Sequence, residues 1–204
     1  RRHQRSYGEV MTETAHARPF VRWAGGKSKL AQKICDRMPL RIESYLEPFI
    51  GGGAVFFALH RMGRFAPGAQ ITLSDVDGEL VELWQTVRDR PERLIERCAK
   101  WTAEIMAAAD VEAAHAVYLR IRALPGRNAP RRMFKPKTKI ERAARVLWLN
   151  RYCFNGLRRA NAKGHFNVNW CVPTHKRAEW RKEVEGRGVD ADNLRACSAA
   201  LEGV

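Results

Sequence analysis

No apolar run in the sequence reaches the roughly 18 residues a membrane-crossing helix needs, so nothing in it reads as a membrane span. Residues 1–18, RRHQRSYGEVMTETAHAR, lack the apolar stretch of a secretory leader and read as a polar, disordered arm. Met11 is a candidate start within that arm, which would make residues 1–10 an upstream read-through or an added piece. The five cysteines, Cys35, Cys98, Cys153, Cys171 and Cys197, are odd in number and contain no CxxC. That excludes a zinc ribbon or a disulfide frame, points to buried thiols in a reducing cytoplasm, and leaves no metal site to expect. Repeats and low-complexity tracts are missing too. Acid is scarce in one place above all: between Arg120 and Lys163, fourteen Lys or Arg stand against a single acid, Glu141. That stretch carries nearly all of the formal net charge of +15. Charge so concentrated repels itself unless a polyanion neutralises it, so nucleic acid is the expected partner.

What is present describes a folded protein. The 204 residues, 45% hydrophobic and 29% charged, suffice for one domain, or one domain with an insertion. Residues 44–49, SYLEPF, read as a short buried strand. A glycine turn, IGGG, follows, then AVFFALHRM with helical character, then AQITLSD as a second strand ending at Asp75. Strand, glycine turn, helix, strand is the opening of a doubly wound α/β sheet. The period then lengthens. Helices are predicted over 79–87, from Pro91 with Leu94, Cys98, Trp101 and Ile105 on one face, near 111–123, and over about 139–150. LPGRNAPRRMFKPKTK is a basic loop broken by prolines. Beyond it, NAKG offers a turn, and Phe166, Val168 and Trp170 alternate with polar residues, which predicts a hairpin.

Two glycine turns could hold a nucleotide. Gly26-Lys27-Ser28 ends like a phosphate-binding loop, but the first glycine of that motif would fall at position 21, which is Val21. Gly51 and Gly53 fit the start of a dinucleotide fingerprint, while Phe56 occupies the place of its third glycine. Glu47 precedes this second turn, and Asp75 follows it at the end of the next strand, where doubly wound folds meet a ribose hydroxyl. The turn therefore reads as a cradle for an adenosine moiety, its glycines allowing close backbone approach.

Four separated stretches, PFVRWAGGKSKL, YLEPFIGGGAVFF, LSDVD and LNRYCFNGLRRANAKGHFNV, occur in the order and spacing of Dam-like, D12-class DNA adenine N6-methyltransferases. The sequence resembles that family over about residues 19–204. The resemblance implies a Rossmann-like α/β sheet, incomplete in this chain, that binds S-adenosylmethionine, with an inserted helical DNA target-recognition domain. It divides the chain into a first methyltransferase part at 19–79, a basic insertion with a hairpin at 80–175, and a return at 176–204. By position it places Trp23, Lys27, Glu47, Phe49, Gly51, Gly53 and Asp75 at the cofactor. Asn155, Leu157 and Arg159 fall where family members touch or wedge between bases, and Arg158 and Lys163 where phosphates are neutralised. Asn169 departs from the proline common after FNV. A monomer acting on double-stranded DNA is implied.

The family's catalytic Asp-Pro-Pro-Tyr is not found: no Asp in the sequence is followed by Pro. The expectation is a fragment that stops before this motif and is inactive alone. A non-catalytic DNA-binding module, and a nucleotide hydrolase built on Lys27, stay as alternatives.

Overall fold

The structure, a computed structural model, describes residues 16–124, 138–162 and 164–204. Most of the polar arm, the basic loop over 125–137, and Lys163 lie outside the described residues. Order begins earlier than expected for an arm reaching residue 18. Ala17 is buried, and the buried Asn193 grips Arg18, accepting from its amide and donating to its carbonyl, both at 3.0 Å.

After a short helix α1 (Ala31–Cys35), strand β1 (Ile42–Glu47) leads through the glycine turn into α2 (Ala54–Arg61). Strand β2 (Phe65–Leu73) returns parallel to β1, with Tyr45 opposite Ile71 and Glu47 opposite Leu73. Both strands begin earlier than predicted. Ile42 is buried and its amide donates to the Arg64 carbonyl at 2.8 Å, which draws the start of β1 back. In β2 the register slips between the Ile42–Phe65 and Ser44–Gln70 pairs, and Pro67 and Gly68 (φ 75°) fall in the slip. A proline without an amide and a left-handed glycine are what a bulge accepts, and they hid the first half of this strand. β1 ends at Glu47, before Pro48, two residues short of the expected Phe49.

The remaining helices are α3 (Gly78–Asp89), α4 (Pro91–Met106), α5 (Val111–Arg122), α6 (Lys139–Tyr152), α7 (Trp180–Val184) and α8 (Ala191–Ala200). Their starts follow local chemistry. Asp77, Asp110, Thr138 and Asp190 accept amide bonds as N-caps of α3, α5, α6 and α8, and Pro91 opens α4. Helix α6 packs against α3 and α4, and α8 packs on both of those as well. The buried side chains form one connected core from Ala17 to Leu201, so packing is continuous across residues 79–80. The predicted hairpin is a pair of antiparallel arms with isolated bridges, Cys153–Trp170 and Ala160–Phe166, rather than a ladder. All five cysteines are free and buried.

Candidate functional site

The site starts from an extended strap, residues 18–23, that no sequence periodicity marks. Two buried asparagines hold it. Asn193 grips Arg18, and Asn150 on α6 accepts from the Arg22 amide at 2.8 Å while donating to the Arg22 carbonyl at 2.8 Å. The same Asn150 amide donates to Gly156 O at 3.0 Å, tying strap to hairpin. Held this way, the strap lays Trp23 over the glycine turn. A Cβ on Gly51 would sit 2.7 Å from the Trp23 ring, and one on Gly53 would sit 2.4 Å from Trp84. Both glycines also have positive φ, 46° and 72°. The two indoles occupy the space that side chains at these positions would need. Trp84 is fixed by donating Nε1–H to Gly51 O at 3.1 Å, and it stacks on Phe57.

Two carboxylates flank this turn at the C-terminal ends of the parallel strands, where open α/β sheets take their ligands. Asp75 accepts from the Gly51 amide through Oδ2 (3.1 Å) and from the Asp77 amide through Oδ1 (3.0 Å). One lone pair on each oxygen remains for a further donor. Glu47, partly buried at the end of β1, accepts from the Tyr45 hydroxyl at 2.6 Å. Burial pushes its carboxyl above the ordinary range, against the pull of the Tyr45 and Phe56 hydrogen bonds. Phe49 and Val76, in the turns after the two strands, are 79% and 92% exposed, so apolar surface lies beside the acids. Trp23, Gly51 and Asp75 are thus brought together. Lys27 is exposed and donates to Gly25 O at 2.6 Å, within its own turn.

In the hairpin, side chains alternate. Asn155, Leu157 and Arg159 are exposed, whereas Gly156 is buried and Arg158 turns inward. Asn155 takes φ 52° and Gly156 φ 66°, and a Cβ on Gly156 would meet Arg22 at 2.8 Å. Arg159 donates to Asn167 Oδ1 across the hairpin at 2.9 Å. Arg158, expected at a phosphate, pairs with acids of the chain itself. Its Nε donates to Asp77, and its Nη2 donates to Asp77 Oδ1 (3.0 Å) and Glu79 Oε2 (2.6 Å). Burial acts against Asp77 ionising, yet Arg158 and the α3 amides hold its carboxyl below the usual range. Asn169 uses its carbonyl, accepting from Phe154 N and the Tyr118 hydroxyl, a group that the expected proline would also carry.

Several described arginines of the basic stretch make contacts within the chain. Arg142 pairs with the buried Glu82, Arg120 with Glu104, and Arg145 is buried and donates to the Arg122 carbonyl. Helix periodicity shows which face of α6 is buried, but not that Arg142 meets an acid on α3 there or that Arg145 reaches a carbonyl on α5. One cationic feature escaped sequence reasoning. A hollow of about 310 Å³ is lined by Arg22, Arg151, Lys182 and Arg187 together with Glu183 and Glu185. Lys176 engages Glu183 at 2.7 Å, and burial, with Arg22 nearby, lowers the pKa of Arg151. Its residues come from three distant segments, so only the folded chain assembles it.

The sequence model of the D12 class N6 adenine-specific DNA methyltransferases matches residues 23–196. The chain is 33% identical over 156 residues to a type II methyltransferase, M.MjaIII, of Methanocaldococcus jannaschii, covering 74% of this chain and 51% of that protein. It is 36% identical over 151 residues to the type II methyltransferase M1.LlaDCHI of Lactococcus lactis subsp. cremoris, covering 74% and 46%. It is 35% identical over 152 residues to a DNA adenine methylase of Haemophilus influenzae, again covering 74% and 46%. The chain therefore spans about half the length of these curated relatives.

Proposed function

Because the chain belongs to the D12 class N6 adenine-specific DNA methyltransferases, we propose that its glycine turn binds S-adenosylmethionine and that its hairpin binds double-stranded DNA beside a flipped adenine. The observation that carries this reading is the meeting of the Trp23 ring, the Gly51 amide and the Asp75 carboxylate past the ends of two parallel strands. Asp75 would accept the ribose hydroxyls with its remaining lone pairs. Phe49 and Val76 would give the purine apolar surface, and Glu47 would face the positive end of the methionine moiety. Trp23 and Gly53 would hold the turn in shape, with Lys27 at its rim. When bound there, the cofactor would supply the methyl group transferred to adenine N6.

On the DNA side, Asn155 and Arg159 have the donors to read base edges, and the exposed Leu157 can wedge into a base step. The cationic hollow at Arg22 and Arg151 fits a phosphate next to the hairpin root. Residues 80–175 would act as the recognition part of a cytoplasmic monomer. No Asp-Pro occurs in the sequence, so the carboxylate and carbonyl that would orient the amino group are not among these residues. Residues 1–204 alone are therefore expected to bind cofactor and DNA without turnover.

A competition assay and a plasmid methylation assay test this together. S-adenosylmethionine should displace a bound fluorescent analogue where ATP does not, and no methyl should reach adenine. ATP binding lost in Lys27→Ala, without any response to S-adenosylmethionine, would restore the hydrolase reading. Turnover by this chain would refute the expectation of binding without turnover.

A further inference from the structure

One side chain joins the hairpin to the glycine turn. Arg158 reaches from the hairpin to the first turn of α3 and holds two carboxylates, Asp77 and Glu79, with side-chain exposures of 25%, 24% and 16% for the three residues. Asp77 does three things at once. It caps α3 through Glu79 N (3.0 Å) and Leu80 N (3.2 Å), it pairs with Arg158, and its amide donates to Asp75 Oδ1. Asp75 in turn holds the Gly51 amide under Trp23, and the Trp23 ring lies 6.0 Å from the Arg158 guanidinium carbon. The contacts therefore form a closed circuit: Arg158, Asp77, Asp75, Gly51, Trp23.

We propose that Arg158 is a positioning residue that couples the hairpin to the glycine turn, so that ordering either one favours the ordered form of the other. The physical grounds are local. Without the guanidinium, Asp77 loses its ion pair in a partly buried helical turn, whereas Glu79 keeps Arg142 and Arg145 within electrostatic reach, so Asp77 is the carboxylate driven to move or take up a proton. Either change disturbs the cap of α3 and the Asp77 amide that positions Asp75. A lysine restores the charge but not the fork that spans both carboxylates. Adjacent Arg159 is a natural control, because it bonds to Asn167 across the hairpin instead of to α3.

Hydrogen exchange on the ligand-free chain tests the coupling. In Arg158→Ala, the Gly51 and Asp77 amides should exchange about fivefold faster, together with the hairpin amide of Asn167. Arg159→Ala should speed Asn167 alone, and Arg158→Lys should fall between wild type and Arg158→Ala. Wild-type rates at Gly51 and Asp77 in Arg158→Ala would overturn the proposal. So would equal acceleration at core amides such as Trp101 in α4, which would mark a general stabilising role. A second arm rests on the functional reading above. Duplex DNA should tighten S-adenosylmethionine binding about fivefold in wild type and not in Arg158→Ala. If exchange is coupled while neither ligand binds, the functional reading fails and the coupling stands.

Discussion

Glu47 keeps its carboxyl partly buried, with its pKa raised by that burial. A cation brought beside it favours the ionised form, so cofactor binding at mildly acidic pH should release a proton. The measured binding heat should then vary with the ionisation heat of the buffer, and Glu47→Gln should abolish that dependence. For Asp75, removal strands the Gly51 and Asp77 amides and, on the proposed reading, takes away the acceptor for the ribose hydroxyls. Asp75→Ala is expected to weaken S-adenosylmethionine binding by about 1.5–3 kcal/mol, tenfold or more in calorimetry. The sequence made the types of these acids legible through their place at strand ends. It could not separate Arg158 from Arg159, which are chemically alike. Alternation along the extended hairpin turns one inward to α3 and leaves the other outside, and that depends on a register no composition records.

The strand–turn–helix element shows a different mixture. Its order was readable because glycines, apolar runs and Asp75 occur in sequence, yet the reason for the glycines was not. Gly53 combines φ 72° with a Cβ position 2.4 Å from Trp84, whereas Gly63 has φ 62° and open space around it. Gly53→Ala should therefore cost about 2–4 kcal/mol, and Gly63→Ala about 1 kcal/mol, measured by denaturant unfolding. At the start of α3, Asp77 titrates below its unfolded value. The stability it contributes is thus complete above the unfolded carboxylate pKa of about 4 and is lost as pH falls through the folded value. Arg158→Ala should flatten that acid limb of the unfolding-midpoint curve. A limb that stays as steep would separate Asp77 from Arg158. The early part of β2 was missed because Pro67 and Gly68 look like a loop but sit in a bulge.

Across the molecule, positive charge has two uses that a sum over residues merges. Arg142 and Arg158 satisfy acids within the fold, while Arg120, paired with Glu104 at the surface, the Arg22–Arg151 hollow and exposed Arg159 face outward. DNA binding should accordingly weaken linearly on a log–log salt plot, with a slope set by the outward group alone. Arg142→Ala, which breaks an internal pair with Glu82, should lower the unfolding midpoint and leave that slope unchanged. The two-stranded sheet leaves Leu46 65% exposed, on a face that parallel sheets ordinarily cover. The claim on which the rest depends is that the turn between Glu47 and Asp75 holds a sulfonium nucleoside. Isothermal titration of S-adenosylmethionine into the folded chain measures it: saturable one-to-one binding, weakened at least tenfold in Asp75→Ala, is expected. A folded wild type that takes up no ligand, or an Asp75→Ala variant with undiminished affinity, would contradict it.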